Sequence, residues 1–448
     1  MKKSTRFKRE LVEGKILVNS KKRFKKARKN FKKNFCNFFR KGIPGFFEGL
    51  RKKIDRGIGE LTRRIYSRRV EVVPNRLFFT TFNGAYNCNQ KYITKELIKQ
   101  EVPVEIYWGV TKDQIKKRNK DGIPDEVELV ERYSFKYFKA LASSKIWFDN
   151  ALCCVWKYIP KKKNQIYVET WHGSMGLKRI SKADIKDKHW LRKAKLCGKN
   201  VDCCISNSTF ETQVFRETYF PKNEIFEFGH ARNDILFDDT DKAELKEKIF
   251  KRYNLSFEKG TLVDSVQDTH VCLYAPTFRD DKSQDFADIN YKKLLEALRE
   301  KYGGEWKIFK RFHYKDKRTK NKKVKNVVNV TSYPDMQELM LIADIGITDY
   351  SSWICDFVLT GKPGFIYATD LEKYNNLRGF YYPLEETPFP IATNNNEMIE
   401  NVLNFDDDEY QEKREEFLAA RGSKEDGHAA ERIVDYVKEI LKNSESEN

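Results

Sequence analysis

From Arg76 onward, the sequence alternates short runs rich in β-branched and aromatic residues with longer stretches of helical character. This alternation is typical of parallel, doubly wound α/β sheets, in which each strand is followed by a returning helix. Two groups of five or six runs are separated near residues 236–265, so two such domains are predicted. The runs are RLFFTTF, VEIYWGV, KIWFDN, QIYVET, CCISN and EIFEFG, then VCLYAP, WKIFKRF, VVNVT, IGITD and GFIYA.

The excess positive charge of the chain is confined to its first 69 residues. They hold 25 of the 86 Lys and Arg residues but 5 of the 66 Asp and Glu residues, which leaves 61 of each for the remainder. Within this segment, Phe24, Phe31, Phe35 and Phe38 fall on one stripe of a helix with lysines around it. A basic amphipathic helix of this kind favours an anionic membrane surface. A nucleic-acid-binding arm and a solvated or docked tail are the alternatives.

The remainder of the chain narrows the class of protein further. Its charge is balanced, so we expect no nucleic acid among the partners. In a nucleic-acid-binding protein, the basic surface would be expected to extend from the arm onto the folded domains. No run of about 18 apolar residues could span a bilayer and no secretory leader is visible, so we expect the protein to stay in the cytoplasm. The nine cysteines lack metal-binding or redox spacing and are expected to be reduced core thiols.

One histidine stands at a predicted strand end. Ligands of doubly wound sheets bind beyond the carboxyl ends of the strands, and Trp171, His172 and Gly173 directly follow QIYVET. A neutral imidazole, with an ordinary pKa of about 6.5, can take a proton from an attacking hydroxyl near pH 7. Taken alone, a structural histidine explains this position equally well.

A second candidate follows the run IGITD, where the chain turns into a helix that begins at Ser351 or Ser352. A helix N-terminus offers unpaired N–H groups and about half a positive charge to a phosphate, and the serine hydroxyls add donors. Simple capping of the helix is the alternative. Asp356, one turn later, would accept hydrogen bonds from sugar or polyol hydroxyls if it is functional, and an acid on the helix face is the alternative.

Two further strand ends of the second group carry cationic or polar side chains. YAPTFRDD supplies Thr277 and Arg279, and FKRFHYK supplies Arg311 and His313. An Arg fork binds phosphate oxygens in a bidentate manner, and His313 could neutralise charge on a pyrophosphate or leaving group. Each residue alone is better explained as part of a surface ion pair, but their shared place after successive strands shifts the balance towards a ligand site.

Six segments, in this order along the chain, resemble those of one known family, the CDP-glycerol glycerophosphotransferases that build teichoic-acid-type polyol phosphate chains in bacteria. The resemblance extends over roughly Arg76 to Leu441, and DYSSxxxDF followed by DLEKYxxxRGFY is specific to the family. The segments are ETWHGSMGLKR, EFGHARNDIL, YAPTFRDD, FKRFHYK, MQELMLIADIGITDYSSWICDF and YATDLEKYNNLRGFYYPLEETPFP.

The resemblance implies a GT-B-like α/β fold, in which two doubly wound Rossmann-type domains face each other across a cleft. We expect residues 1–70 to form the basic membrane-associating arm, residues 71–240 the acceptor-side domain, and residues 241–448 the domain that binds the CDP-polyol donor. The implied reaction transfers a polyol phosphate from the donor to a hydroxyl of a lipid-linked acceptor and releases CMP. CDP-glycerol is the expected donor, with CDP-ribitol as the alternative.

The implied place of action is the cytoplasmic side of the cell membrane, where the protein would act as a peripheral protein on the anionic surface. A GT-B nucleotide-sugar glycosyltransferase is the other enzyme that this build allows. Relatives commonly read WHG-Thr-Pro-Leu-Lys, whereas this chain has Ser174, Met175 and an additional Gly176, so the acceptor and the exact polyol stay open.

Carried over residue by residue, the resemblance makes His172 the catalytic base, and His313 is expected to act on the leaving group. No tightly bound metal or other cofactor is expected, although Mg²⁺ on the donor pyrophosphate is allowed. The expected substrate-binding residues, including Arg279 from its strand end, are Trp171, Gly173, Ser174, Met175, Arg232, Pro276, Thr277, Arg279, Arg311, Ser351, Ser352, Asp356, Arg378 and Gly379.

Overall fold

The computed structural model of the chain divides into two compact units, Met1–Arg69 and Val70–Asn448. Of the first unit, residues 64–69 are described and are helical, so the predicted amphipathic stripe lies outside the described residues. In the part of the chain that the structure describes, no helix is both long and apolar enough to cross a membrane. The described residues of the second unit are 70–151, 159–180, 188–220, 222–238, 242–255, 266–277, 288–312, 324–372 and 379–446.

The second unit contains two lobes, and the first lobe is built on a seven-stranded parallel sheet with the order β3-β2-β1-β4-β5-β6-β7. The last four residues of β1 and most of β4 are buried, as expected for central strands that helices cover on both faces. The strands are β1 (Val73–Thr80), β2 (Glu105–Val110), β3 (Val127–Glu131), β4 (Ser144–Asp149), β5 (Ile166–Glu169), β6 (Cys203–Ile205) and β7 (Glu224–Phe226).

The second lobe is built on a six-stranded parallel sheet with the order β10-β9-β8-β11-β12-β13. This is the strand order of a dinucleotide-binding Rossmann sheet, and it places the switch in winding direction between β8 and β11. The strands are β8 (Thr269–Tyr274), β9 (Glu305–Lys310), β10 (Val327–Asn329), β11 (Ile345–Thr348), β12 (Gly364–Tyr367) and β13 (Ile391–Ala392).

Helices connect the strands, and several begin at side-chain caps that satisfy free backbone N–H groups. Ser134 and Ser208, for example, accept hydrogen bonds from the N–H groups of Tyr137 and Glu211 at 3.1 Å. The helices are α1 (Cys88–Lys99), α2 (Lys112–Lys116), α3 (Phe135–Ser143), α4 (Lys188–Gly198), α5 (Thr209–Thr218), a 3₁₀ helix (Ala231–Phe237), α6 (Lys242–Arg252), α7 (Tyr291–Tyr302), α8 (Met336–Ile342), α9 (Trp353–Phe357), α10 (Asn395–Leu403), α11 (Asp407–Arg421) and α12 (Ala429–Ser446).

All eleven predicted runs form strands, and the structure adds β3 and β13 to them. β3 reads VELVE and exposes Glu128 and Glu131 at the edge of the first sheet, so its apolar signal is weak. β13 has only two residues. Both additions are edge strands, which need less apolar surface than central strands because a neighbouring strand covers only one of their edges.

The last helix departs from the predicted domain division. Ile433, Val434 and Val437 of α12 belong to the same buried apolar cluster as Ile93 and Leu97 of α1. The chain therefore returns to the first lobe after α11, and residues 429–446 pack there, although they fall in the range 241–448 that the sequence assigned to the second domain.

A buried ion pair joins the two lobes. Lys91 of α1 contacts Asp335 at 2.6 Å and Glu338 at 2.5 Å, both in the second lobe at the start of α8. Burial works against the ionised form of Asp335, but Lys91 holds the pKa of that carboxyl below its usual value. Tyr92 also donates to Asp335 at 3.1 Å. The lobes thus meet through a network of charged and polar groups as well as through apolar contacts.

Candidate active site

A cleft with about 700 Å³ of empty space opens at the carboxyl ends of the strands, and residues of both lobes line it. The first lobe contributes the turn after β5, which carries Trp171, His172 and Gly173. The second lobe contributes Ser351 and Ser352 after β11. The structure therefore brings the predicted base and the predicted phosphate-binding serines to the same cleft.

The turn after β5 has an unusual backbone conformation at Trp171 and close packing at Gly173. Trp171 has a φ of 56°, in the left-handed region that side chains rarely adopt. Asn89 of α1 stabilises this conformation by donating to the carbonyls of Thr170 and Trp171, at 2.9 and 3.2 Å. A Cβ atom at Gly173 would lie 2.7 Å from Trp171 Nε1, so only glycine fits there beside the indole.

The ring of His172 is held in one tautomer. Its Nδ1 contacts the carbonyl oxygen of Asn150, which can only accept, so Nδ1 carries the proton and Nε2 presents a lone pair. Enclosure in the cleft lowers the pKa of His172 to about 4, and the positive charge of Arg232 adds to the effect. The residue itself keeps exposed surface. The imidazole is thus neutral near pH 7 and can accept a proton at Nε2.

An apolar wall from α5 lines the cleft that holds the base. Phe210, Val214 and Phe215 line the cleft, and the ring of Phe215 packs edge-on against Trp171 at 5.6 Å. Phe82, from the loop after β1, lies 5.4 Å from the ring of His172. These side chains exclude water from one side of the imidazole, which accounts physically for its lowered pKa.

The loop after His172 continues into the second lobe. The side chains of Met175 and Leu177 are fully buried in the core of that lobe, and Tyr382 donates to the carbonyl of Met175 at 2.6 Å. Lys178 and Phe380 then form an antiparallel bridge, beside Gly379 with its positive φ of 70°. Ser174 lines the cleft, whereas Met175 serves as an apolar anchor in this arrangement.

On the second lobe, α9 begins at Trp353 and Ser352 occupies its N-cap position. Within the described chain, the Ser352 side chain makes no capping hydrogen bond, so simple side-chain capping does not explain this serine. Nearby, Thr277 receives a hydrogen bond from Lys178 Nζ at 3.1 Å, and its N–H donates to Asp349 at 2.8 Å. This places Thr277 at the junction of the lobes.

Arg232 and Asp356 form a buried ion pair between the lobes. Arg232 Nε lies 3.1 Å from Asp356 Oδ2, and the two side chains are 3% and 5% exposed. Arg232 Nη2 also donates to the carbonyl of Gly173 beside the base. Neither residue is among the described residues that line the cleft, so their expected contacts with the donor stay predictions.

The remaining expected residues lie elsewhere. Pro276 is buried in the turn after β8. Arg311 follows β9 and donates to the carbonyl of Tyr333 at 2.6 Å, and burial lowers the pKa of its guanidinium. It does not line the cleft among the residues that the structure describes. Arg279, His313 and Arg378 lie outside the described residues.

Several polar residues of the site were missed in the sequence. Asn150 directly follows β4, so the strand-end rule that selected His172 could have found it. Asn207 follows β6 in the same way. Glu211, three residues after the Ser208 cap, has a side chain that lines the cleft, where burial raises its pKa to about 8. Glu425 lies in the return to the first lobe, and no local pattern points to it.

His230, Asp356 and Glu425 offer atoms within 4.8 Å of one another, as a metal site would require. Their oxygens, however, already accept hydrogen bonds: Asp356 from Arg232 and Asn233, and Glu425 from Asn233, Asn207 and the backbone of His230. A metal ion would have to displace these donors and lie beside a guanidinium. The arrangement therefore does not fit a metal centre.

Comparison with known proteins identifies the relatives of this chain. Residues 62–439 match the family described as CDP-Glycerol:Poly(glycerophosphate) glycerophosphotransferase. The teichoic acid poly(glycerol phosphate) polymerase of Staphylococcus epidermidis is 30% identical over 410 residues, which cover 88% of this chain and 54% of the relative. The chain thus spans about half the length of that protein. The teichoic acid glycerol-phosphate transferase of Staphylococcus aureus is 28% identical over 376 residues, which cover 81% of this chain and 92% of the relative.

A solved structure agrees with these matches. A variant of the wall teichoic acid polymerase TagF, soaked with CDPG, is 28% identical with a TM-score of 0.73, and the alignment covers 89% of this chain and 98% of that chain. The two doubly wound sheets and this likeness confirm the predicted GT-B-like α/β fold. Because the family match covers most of the chain, the protein belongs to the CDP-glycerol:poly(glycerophosphate) glycerophosphotransferase family.

Proposed function

We propose that the protein transfers glycerol phosphate from CDP-glycerol to a hydroxyl of a lipid-linked acceptor and releases CMP. The observation that carries this proposal is the shared cleft, in which a neutral His172 and the serines before α9 lie on opposite lobes. The names of the relatives favour glycerol phosphate over ribitol phosphate as the transferred unit.

In the proposed step, the acceptor hydroxyl attacks the phosphorus that bears the glycerol. A new P–O bond forms, the P–O bond to CMP breaks, and the hydroxyl proton passes to His172 Nε2. The N–H groups and hydroxyls at Ser351 and Ser352 bind the donor phosphates. His313, with Arg279 and Arg311, would stabilise the charge on the departing CMP. Transfer of this kind depends mainly on positioning and on charge stabilisation.

Release of CMP tests the proposal directly. The purified protein is incubated separately with CDP-glycerol and CDP-ribitol and a lipid-like acceptor. We expect CMP from CDP-glycerol, and preferential turnover of CDP-ribitol would change the assigned polyol. Turnover of a nucleotide sugar with release of a nucleoside diphosphate, and no CMP from either donor, would replace the proposal with a glycosyltransferase.

His172→Ala tests the proposed base. Loss of a general base costs about 10²-fold to 10⁴-fold in rate, so CMP release should nearly vanish while CDP-glycerol binding by calorimetry stays within a few-fold. His428→Ala is the matched control, because His428 is exposed and pairs with Glu431 on α12. Equal turnover by His172→Ala and His428→Ala would remove the base from its assigned role.

The proposed setting is the cytoplasmic side of the cell membrane, where the basic arm would bind the anionic surface as a peripheral anchor. We assign acceptor binding to the first lobe and donor binding to the second. No tightly bound cofactor is part of the proposed step, and a role for Mg²⁺ on the pyrophosphate would appear as loss of CMP release in EDTA and recovery with added Mg²⁺.

A further inference from the structure

Hydrogen bonds form a closed ring behind the loop that carries His172. One half of the ring starts at the carbonyl of Gly173, which accepts from Arg232 Nη2. The same nitrogen lies 3.3 Å from Asp356 Oδ1, and this oxygen also accepts from Asn233 Nδ2 at 3.0 Å. The carboxylate of Asp356 thus joins the base loop to the 3₁₀ helix of the first lobe.

The other half of the ring passes through Glu425 and returns to the next residue of the loop. Asn233 Nδ2 donates its second hydrogen to Glu425 Oε1 at 2.7 Å. Asn207 Nδ2 donates to the same oxygen at 3.0 Å and to Ser174 Oγ at 3.0 Å. Each amide nitrogen uses both of its hydrogens, so the two asparagines close the ring.

This ring is buried and spans both lobes. Asp356 lies on α9, four residues after Ser352, while Glu425 lies in the segment that returns from the second lobe to the first. The side chain of Glu425 is fully buried, and its second oxygen accepts from the N–H of His230 at 3.1 Å. Apart from Ser174 and Gly173, no member of the ring is among the described residues that line the cleft.

We propose that Glu425 is a positioning residue that, through this ring, sets the distance between His172 and the serines at the start of α9. Arg232 and Asp356 act in the same ring, where they hold the base loop and α9 together. The proposal rests on the proposed function, because this distance matters when a base on one lobe reacts with a donor bound on the other. A displacement of about 1 Å between reacting groups can cost about 10²-fold in rate.

Replacement of Glu425 separates positioning from substrate contact. Glu425→Ala leaves two amide donors without their acceptor, so the base loop loses its link to the ring. We expect kcat to fall about 10-fold to 100-fold while the Kd for CDP-glycerol stays within about twofold. Glu425→Gln retains an Oε1 acceptor for both asparagines but places an amide nitrogen where Oε2 accepts from the N–H of His230, so kcat should fall less than in Glu425→Ala. Glu431→Ala, an exposed carboxylate on α12 paired with His428, is the matched control.

A second measurement separates positioning from general destabilisation. Asn207→Ala cuts the same ring, so its effect on kcat should not add to that of Glu425→Ala, whereas effects at independent sites add. The variants are compared well below their thermal midpoints. An unchanged kcat in Glu425→Ala, additive effects of the two changes, or a Kd raised tenfold would each overturn the proposal. If Glu425→Ala fails to fold, Asn207→Ala takes its place: its kcat should fall about 10-fold to 100-fold with the Kd within about twofold, and an unchanged kcat or a Kd raised tenfold would overturn the proposal.

The positioning role of the ring can be tested even if the proposed reaction is wrong. Absence of CMP release by the unaltered protein would overturn the reaction, and a substrate-free measurement would then test the ring. NMR titration of His172 should give a low pKa in the unaltered protein and a higher one in Glu425→Ala, because a loosened loop admits water to the imidazole. An identical titration in both proteins would overturn the positioning role.

Discussion

At the scale of single residues, the proposed base depends on one backbone acceptor. The carbonyl of Asn150 fixes the proton on Nδ1 of His172, and the cleft lowers the pKa to about 4. The neutral form is the active one, so lowering the pH through 6.5 should leave kcat/KM level, and the loss in acid should begin only well below pH 6.5. A pH profile of CMP release, with circular dichroism at each pH to check folding, measures this. An acid limb near pH 6.5 would show an unperturbed imidazole and contradict the geometry.

The sequence could reveal the site residues that follow a strand locally, but not those whose partners lie far away along the chain. His172 and Ser351 lie in the turns that follow β5 and β11, so the rule that ligands bind beyond strand ends was enough to select them as candidates. Asn207 and Glu425 are 218 positions apart and meet only in the folded protein. The buried charge of Arg232 is likewise compensated by Asp356, which is 124 positions away. No local pattern contains that information, so the supporting network required coordinates.

At the scale of secondary structure elements, α1 is joined to the start of α8 by the ion pair of Lys91 with Asp335 and Glu338. Lys91→Met would leave two carboxylates in the lobe interface without their cation, and breaking a buried pair in this way costs about 3 to 5 kcal/mol. We expect a matching fall in the free energy of unfolding, measured by urea denaturation.

Lys99→Met on the same helix is the control for that change. Lys99 pairs with Glu96 but its side chain is 69% exposed, and exposed pairs contribute about 0 to 1 kcal/mol. Equal losses in the two variants would mean that the lobe interface gains nothing from the Lys91 pair. The pairing itself was invisible in the sequence, where Lys91 looks like any helix-surface lysine.

The elements themselves were more predictable than their contacts. The second half of central strand β1 and all of β11 are buried because helices cover both faces, and their largely apolar residues give a strong local signal. Edge strand β3 has glutamates among its apolar residues, and β13 is too short to show a pattern. The return of α12 to the first lobe has no local signal, since its apolar stripe would suit either core.

At the scale of the whole molecule, charge separates the arm from the body. Removal of residues 1–69 takes away 25 basic and 5 acidic residues and leaves 61 of each. Because each basic residue near an anionic surface contributes about 1 kcal/mol, the truncated protein should lose its binding to anionic vesicles. Cosedimentation with anionic and with neutral vesicles measures the effect, and higher salt should weaken binding of the full chain because it screens surface charge.

The same truncation should spare the chemistry, since both lobes and the cleft lie within the compact unit Val70–Asn448. With a short soluble acceptor we expect CMP release within about twofold of the full chain. With a vesicle-embedded acceptor the full chain should be faster, because surface binding raises the local concentration of enzyme and acceptor. Vesicle binding that persists in the truncated protein, or that high salt leaves unchanged, would move membrane attachment from the basic arm to the body.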